Sequence, residues 1–102
     1  EAIEYLQEAV RIAPDNGTAH LRLAYNLLMG HQPIDDVMRH AQKAVGALPE
    51  DAEAHFILGR CFEAKDMAKN AKKHYEDALH FDLTIVAIVE EGEPKVIPNR
   101  GG

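Results

Sequence analysis

The sequence has no serine and no tryptophan, and its single cysteine is Cys61. One cysteine excludes a disulfide within the chain and a cysteine-rich zinc site. Without serine there is no serine nucleophile, and no glycine-rich loop of the kind that cradles phosphate groups is present. We therefore expect the chain not to be an enzyme and to need no cofactor.

Long apolar runs and an excess of positive charge are also missing. No run of about 18 apolar residues occurs, so we expect no membrane insertion. The formal net charge of −6 weighs against nucleic acid, whose recognition needs clustered basic residues, and favours a basic or neutral partner. The sequence begins at Glu1 without Met and without a basic-then-apolar leader, so we expect it to be a piece of a longer protein.

What the chain does contain is an internal repeat with a spacing of 35 residues. The elements Ala9-Val10, Pro14, Ala19-His20 and Leu23 recur as Ala44-Val45, Pro49, Ala54-His55 and Leu58. One spacing shared by this many positions indicates a repeated structural unit.

The apolar residues of 1–82 recur at steps of three and four, which is typical of helices with one buried face. The pattern predicts five helices, near residues 1–13, 17–29, 35–47, 52–64 and 68–81. Short loops make neighbouring helices antiparallel, so we expect an all-α fold, an α-solenoid of helical hairpins. Asn16, Asp35 and Asp51 are the predicted N-cap residues. The predicted core contains Ala9, Leu23, Leu27, Ala44, Leu58, Phe62, Tyr75 and Ala78.

The second unit carries a family pattern. It runs His55-x2-Leu58-Gly59-x2-Phe62, then Ala71-x3-Tyr75, then Ala78-Leu79. This resembles the tetratricopeptide repeat, whose pattern is Trp-x2-Leu-Gly-x2-Tyr, then Ala-x3-Phe, then Pro. The resemblance divides residues 1–83 into a half repeat, 1–14, and two repeats, 15–49 and 50–83. It departs from the pattern at His20 and His55, which replace Trp, and at Leu83, which replaces Pro.

Residues 84–102 differ from the rest in composition. The segment "TIVAIV" is rich in β-branched residues, and "EEGEPKVIPNRGG" is rich in turn formers. Two interpretations stay open, a helix that caps the last repeat and an extended tail or hairpin.

Six histidines raise the question of a metal site. His20 and His55 are related by the repeat, but two ligands do not make a site, and we expect both to fill the large-aromatic position. The remaining four are interpreted as scattered surface residues: His31, His40, His74 and His80. The sequence thus predicts no metal site. The basic residues of 65–73 are interpreted as a solvated outer face, in which Lys73 pairs with Asp77 four residues on.

In tetratricopeptide proteins the first helix of each repeat lines a concave groove, so the resemblance implies a binding surface on residues 17–29 and 52–64. The candidate partner-binding residues are Leu21, Tyr25, Leu28, Met29, Glu53, Phe56, Arg60 and Glu63. Leu21 and Leu28 admit a second interpretation, burial between stacked helices. Tyr25, Phe56 and Arg60 are the strongest candidates, because aromatic and arginine side chains dominate binding hot spots.

Two functions follow as expectations. The first is a scaffold or adaptor module that binds a protein or peptide ligand in its groove, without chemistry of its own. The alternative is structural self-association through exposed repeat ends, for which 1–13 and "TIVAIV" supply apolar surface. Family members that grip the C-terminal carboxylate of heat-shock chaperones use a clamp of Lys and Asn. Leu21, Tyr25 and Glu53 stand at clamp positions here, which disfavours that partner.

Overall fold

The computed structural model describes residues 2–82, which form five α-helices joined by short loops. The helices are α1 (Ala2–Ile12), α2 (Gly17–Met29), α3 (Ile34–Ala47), α4 (Ala52–Ala64) and α5 (Ala68–Phe81). Each bound lies within one residue of the predicted span, and no strand occurs in this part of the chain. The all-α fold class is confirmed. The two interpretations of 84–102, and the role given to Leu83, concern positions outside the described residues.

Two helices begin at side-chain caps, as predicted. The Asn16 carboxamide oxygen accepts the backbone N–H of Ala19 at 3.0 Å, and the Asp51 carboxylate accepts that of Ala54 at 3.0 Å. Each cap satisfies one of the N–H groups that a helix leaves without an internal partner in its first turn. The two units of the sequence repeat therefore start α2 and α4 by the same local device.

The start of α3 corrects the sequence prediction. Pro33 occupies the N-cap position, no side chain caps this helix, and Asp35 already lies in its first turn. The proposed capping role of Asp35 is therefore wrong, because a residue inside the first turn cannot reach forward as an N-cap does. Asp35 instead accepts a hydrogen bond from the Lys65 ammonium at 2.7 Å, which joins the start of α3 to the end of α4.

Helices α2 and α4 also end in the same way. His31 and Asp66, which are 35 residues apart, have φ values of 56° and 61°, in the left-handed region. In each turn the next N–H reaches back to the carbonyl five residues earlier, at 3.0 Å after α2 and 2.9 Å after α4. This is the Schellman arrangement, which usually has glycine at the left-handed position. The chain uses a histidine and an aspartate there.

The helices pack as two hairpins, α2 against α3 and α4 against α5, with α3 against α4 joining them. The largest fully buried side chains are Leu23, Ile57, Val37 and Cys61. Six of the eight predicted core residues are buried, namely Leu23, Leu27, Ala44, Leu58, Tyr75 and Ala78. Ala9 and Phe62 are half-buried, and Phe62 packs against the core. Burial of these apolar faces is the main stabilising contribution to the fold.

The approach of α4 to α5 requires a glycine at one position. A Cβ atom added to Gly59 would lie 2.7 Å from Cε1 and 2.8 Å from Cδ1 of the Tyr75 ring. Such distances are far below van der Waals contact, so any side chain at this position displaces the tyrosine. The glycine therefore sets the spacing between the two helices of the second hairpin.

Helix α1 is the least buried element. It packs against α2, yet none of its residues is buried, and Tyr5 and Ile12 are 75% and 68% exposed. Two large apolar side chains of this helix are therefore accessible to solvent, beside charged residues such as Glu8 and Arg11. Among residues 2–82 no helix is long and apolar enough to cross a bilayer.

Candidate functional site

A cavity of about 410 Å³ lies where the exposed faces of α2 and α4 meet. Its lining residues are Tyr25, Leu28, Met29, Glu53, Phe56, Ile57, Arg60 and Asp82. Five of these side chains are largely apolar, and two carboxylates and one guanidinium provide the charge. The volume falls within the range of about 300–1,000 Å³ that small ligand pockets occupy.

Six of the eight residues proposed from the sequence line this one cavity, and two do not. Leu21 is only 8% exposed and belongs to the core, so burial is the correct interpretation for this residue. Leu28 is half-buried and forms part of the wall. Tyr25 and Met29 are 45% and 53% exposed. The candidate residues of α2 thus divide into one that is buried, Leu21, and three that line the cavity, Tyr25, Leu28 and Met29.

Glu63, the other residue that does not line the cavity, holds parts of its wall in place. One carboxylate oxygen accepts the Tyr75 hydroxyl at 2.6 Å and lies 3.8 Å from Nε of Arg60. The Arg60 guanidinium carbon lies 5.9 Å from the centre of the Phe56 ring, within the range of a cation–π contact. Phe56 in turn packs against Tyr75, with ring centres 5.6 Å apart. The guanidinium is thus oriented by a carboxylate and by an aromatic ring.

Two lining residues were missed by the sequence analysis. Ile57 adjoins Phe56 and is almost fully buried. The sequence pattern of α4 therefore gave no sign that this residue also lines the cavity. Asp82 follows the last residue of α5 and is the C-cap residue of that helix. Its position depends on how α5 packs back on α4, a relation that helical periodicity within one element does not contain.

A pair of histidines in contact occurs twice, once in each hairpin. The Nδ1 atoms of His20 on α2 and His40 on α3 are 2.9 Å apart, and those of His55 on α4 and His74 on α5 are 3.2 Å apart. In both pairs the rings are stacked, with centres 5.1 Å and 5.4 Å apart. The prediction that His40 and His74 are scattered surface residues is therefore wrong. Both are half-buried and face the histidine of the neighbouring helix.

The direction of these hydrogen bonds follows from the chemistry of their partners. Nε2 of His20 lies 2.8 Å from the Pro14 carbonyl, which can only accept, so Nε2 carries the proton. Nδ1 of a neutral His20 then accepts, and Nδ1 of His40 donates to it. Nε2 of His40 is left as an acceptor, and the Arg39 guanidinium lies 3.3 Å from it. In the second hairpin His55 repeats the arrangement, with Nε2 2.8 Å from the Pro49 carbonyl.

The histidines on α3 and α5, His40 and His74, both favour the neutral form. Burial, followed by the charge of Arg39 and the neighbouring His20, lowers the pKa of His40 to about 4. Burial, followed by His55 and Lys73, also lowers the pKa of His74. A hydrogen-bonded pair of histidines requires neutral imidazoles at His40 and His74, because two imidazolium ions would repel each other.

The two pairs differ in what stands beside them. In the second hairpin the carboxylate of Asp77 lies 3.9 Å from Nδ1 of His55, beside a pair for which the sequence predicted no metal site. Asp77 is three residues beyond His74, and the residue three beyond His40 is Lys43. Within residues 2–82, the trio His55, His74 and Asp77 is the group of potential ligands close enough to hold a metal ion.

Neither a scan against models of protein families nor a search of curated proteins finds a match to this chain. The cavity and the histidine pairs are therefore the features from which a function can be inferred. The cavity combines an apolar wall with a few convergent charged groups, which is the composition of a binding site. The histidine pairs combine imidazole nitrogens with, in one case, a carboxylate.

Proposed function

We propose that this protein is an interaction module that holds a peptide segment of a partner protein in the cavity between α2 and α4. The observation that carries the proposal is the convergence of residues from separate helices on one cavity. Tyr25 and Met29 come from α2, and Phe56 and Arg60 from α4. Tyr25 and Arg60 are exposed, whereas Phe56 is buried and belongs to the apolar wall. Exposed aromatic and arginine side chains beside an apolar wall are typical of the centre of a protein-binding surface.

The lining indicates the chemistry of the peptide. The apolar wall favours an aliphatic or aromatic side chain, which would bury its surface against Tyr25 and Phe56. Glu53 and Asp82 give the cavity two negative charges against the single positive charge of Arg60, and the chain as a whole carries −6. We therefore infer that the bound segment has an apolar residue beside a lysine or arginine.

Arg60 has a separate role in the proposal. Its guanidinium is oriented by Glu63 and Phe56, so little conformational freedom is lost when it donates to a ligand. A planar fork of N–H groups matches a backbone carbonyl or a carboxylate. The arginine would fix the direction of the peptide, while the aromatic rings supply contact area.

The proposed module is a tetratricopeptide-like α-solenoid. Support comes from features that recur 35 residues apart: the caps Asn16 and Asp51, the left-handed residues His31 and Asp66, and the two histidines that bind proline carbonyls. Recurrence of the starts, ends and interior contacts of hairpins is the expected behaviour of a repeat protein. In such proteins the first helices of successive repeats form one binding face, which corresponds here to α2 and α4.

The proposal can be tested with peptides selected from a random displayed library on the purified chain. Selected sequences should share an apolar residue next to a basic one. The double variant Tyr25→Ala, Arg60→Ala should keep the helical signal and melting temperature of the wild type. It should weaken peptide binding by at least about 30-fold, because truncation of a hot-spot residue costs about 2 kcal/mol or more.

Two exposed lysines of α5 supply a control outside the cavity. Lys69 and Lys72 are exposed on α5 and do not line the cavity, so Lys69→Glu, Lys72→Glu should leave peptide affinity within about twofold, as expected for charges away from the contact. If the lysine variant abolishes binding while the cavity variant binds like the wild type, the working surface is the outer face. Glu53→Gln adds a charge test, since it should weaken basic peptides and spare their alanine-substituted versions.

Self-association is the second candidate function, and the exposed face of α1 favours it. Tyr5 and Ile12 lie on the least buried helix of the described chain. If this face joins two copies, the mass measured by light scattering should rise with protein concentration. Tyr5→Glu, Ile12→Glu should return it to the monomer value. A mass that stays at the monomer value over the whole range would exclude this function and leave the peptide-binding proposal untouched.

A further inference from the structure

The second histidine pair has three features that a hydrogen-bonded packing pair does not need. It has a carboxylate beside it, Asp77, and the potential ligand atoms of His55, His74 and Asp77 all lie within 4.8 Å of one another. His74 and Asp77 stand three residues apart on α5, a spacing that brings both side chains to one helical face. The trio shares no residue with the cavity described above.

The distances fit a small tetrahedral ion. With Zn–N bonds of roughly 2.0–2.1 Å, neighbouring ligand atoms of a tetrahedral zinc site are separated by about 3.3 Å. The Nδ1 atoms of His55 and His74 are 3.2 Å apart, and the Asp77 carboxylate oxygen is 3.9 Å from Nδ1 of His55. Asp77 and His74 are only half-buried, so a small rotation of the carboxylate would complete the three-ligand arrangement.

His55 is already oriented as a ligand. Its Nε2–H is donated to the Pro49 carbonyl at 2.8 Å, which leaves the lone pair of Nδ1 directed toward His74 and Asp77. Metal-binding histidines almost always donate their second N–H to a carbonyl or carboxylate in this way, because that bond fixes the tautomer and the ring orientation. Phe81 stacks on the His55 ring, with centres 5.7 Å apart, and packs it in place.

We propose that His55, His74 and Asp77 form a binding site for Zn²⁺, with His55 Nδ1, His74 Nδ1 and one Asp77 oxygen as the protein ligands. Water completes the coordination on the half-exposed side. His74 releases the Nδ1 proton that it donates to His55 and takes the other tautomer, so the ion replaces this hydrogen bond. Lys73 competes with the ion, since its ammonium lies 3.1 Å from the same Asp77 oxygen.

The first hairpin supplies an internal control for this site. It has the same histidine pair and the same bond to a proline carbonyl. Lys43 occupies the position equivalent to Asp77. An ammonium cannot ligate a metal and would repel one, so the first pair should not bind zinc. Of the three potential ligands, Asp77 is the one without an equivalent in the first hairpin.

Isothermal titration of the metal-free chain with Zn²⁺ tests the proposal, with Mg²⁺ as a probe that prefers oxygen ligands. We expect one Zn²⁺ per chain, a higher melting temperature with zinc, and no heat with Mg²⁺. Asp77→Asn should weaken Zn²⁺ by at least about 100-fold, more than the roughly 10–100-fold typical for loss of an outer-shell partner. His40→Asn in the first pair should leave zinc affinity unchanged, and Lys73→Met should increase it.

Co²⁺ used in place of Zn²⁺ gives a spectroscopic readout, because four-coordinate Co²⁺ absorbs visible light far more strongly than six-coordinate Co²⁺. An intense band that disappears in Asp77→Asn would support the site. Absence of zinc binding would overturn the proposal, and so would an Asp77→Asn variant that binds like the wild type. Equal losses in His40→Asn and Asp77→Asn would also overturn it, since binding would then not depend on the second pair.

Discussion

The first hairpin should make the fold sensitive to mild acid through His40. Burial, Arg39 and His20 lower the pKa of this histidine from 6.5 to about 4, with Lys43 acting in the same direction and Asp36 opposing it. Above pH 6.5 the histidine is neutral in both the folded and the unfolded chain. As the pH falls from 6.5 toward 4, the unfolded chain binds the proton first, so folding stability is lost across this window.

The size of the effect follows from the shift. Taken in full, it would remove about 2 kcal/mol of stability between pH 7 and pH 5. His40 is only half-buried, and solvent screens part of its interactions, so we expect about 1 kcal/mol over this interval. For a domain of this size, 1 kcal/mol corresponds to a change of roughly 4–8 °C in melting temperature.

The variant His40→Asn isolates this contribution. The asparagine amide nitrogen lies near the position of Nδ1 and can still donate to His20, but the side chain does not titrate. Thermal melts followed by circular dichroism at pH 7 and pH 5 should therefore show a smaller loss for His40→Asn, by roughly 4–8 °C. All other titrating groups are common to both proteins. Equal losses in the two proteins, or an NMR titration of His40 centred at its ordinary value of 6.5, would refute the reasoning.

Other predictions concern stability and reactivity. Leu58→Ala should lower the free energy of unfolding by about 2–5 kcal/mol in urea denaturation, because Leu58 is buried in the core. His31→Gly should raise it by about 1 kcal/mol, since a left-handed backbone costs a β-carbon-bearing residue. Asp66→Gly should give a smaller gain, because aspartate tolerates this conformation better. Cys61 is buried and its pKa is raised to about 11, so alkylation at pH 8 should be slow in the folded chain and fast in denaturant.

Three results would contradict these expectations. An unchanged urea midpoint for Leu58→Ala would place that side chain outside the core. A loss of stability in His31→Gly would mean that the imidazole makes a contact worth more than the backbone cost. Fast alkylation of Cys61 without denaturant would show that α4 opens readily or that the thiol is accessible.

The helices were predictable because their signals are local. Apolar steps of three and four residues, and caps such as Asn16 and Asp51, act within one or two turns of the chain. The N-cap of α3 was predicted wrongly because these local signals are ambiguous at Asp35. Both Pro33 and Asp35 are acceptable near a helix start. Which of them is the N-cap depends on the path of the loop that connects α2 to α3.

Part of the candidate site was predictable and part was not. Tyr25 and Arg60 could be proposed as partner-binding residues because each lies on a helical face next to the one that carries the core residues. The partners of His20 and His55 lie on the next helix, about 20 residues along the chain, and Asp82 follows the end of α5. Their positions depend on the rotation of one helix against another within a hairpin. The three-residue spacing of His74 and Asp77 was the one visible trace of the second cluster.

The bonds from His20 to the Pro14 carbonyl and from His55 to the Pro49 carbonyl have a consequence for cooperativity. Each buried imidazole ties the first helix of a hairpin to the loop that joins it to the preceding segment, so a hairpin without that loop lacks a buried hydrogen bond. We therefore expect the histidines to couple the folding of neighbouring segments, in addition to filling space. Substitution of His55 should uncouple the two hairpins, and amide exchange would then show α4 and α5 opening without α2 and α3. Exchange that stays uniform along the chain would show that apolar contacts alone provide the coupling.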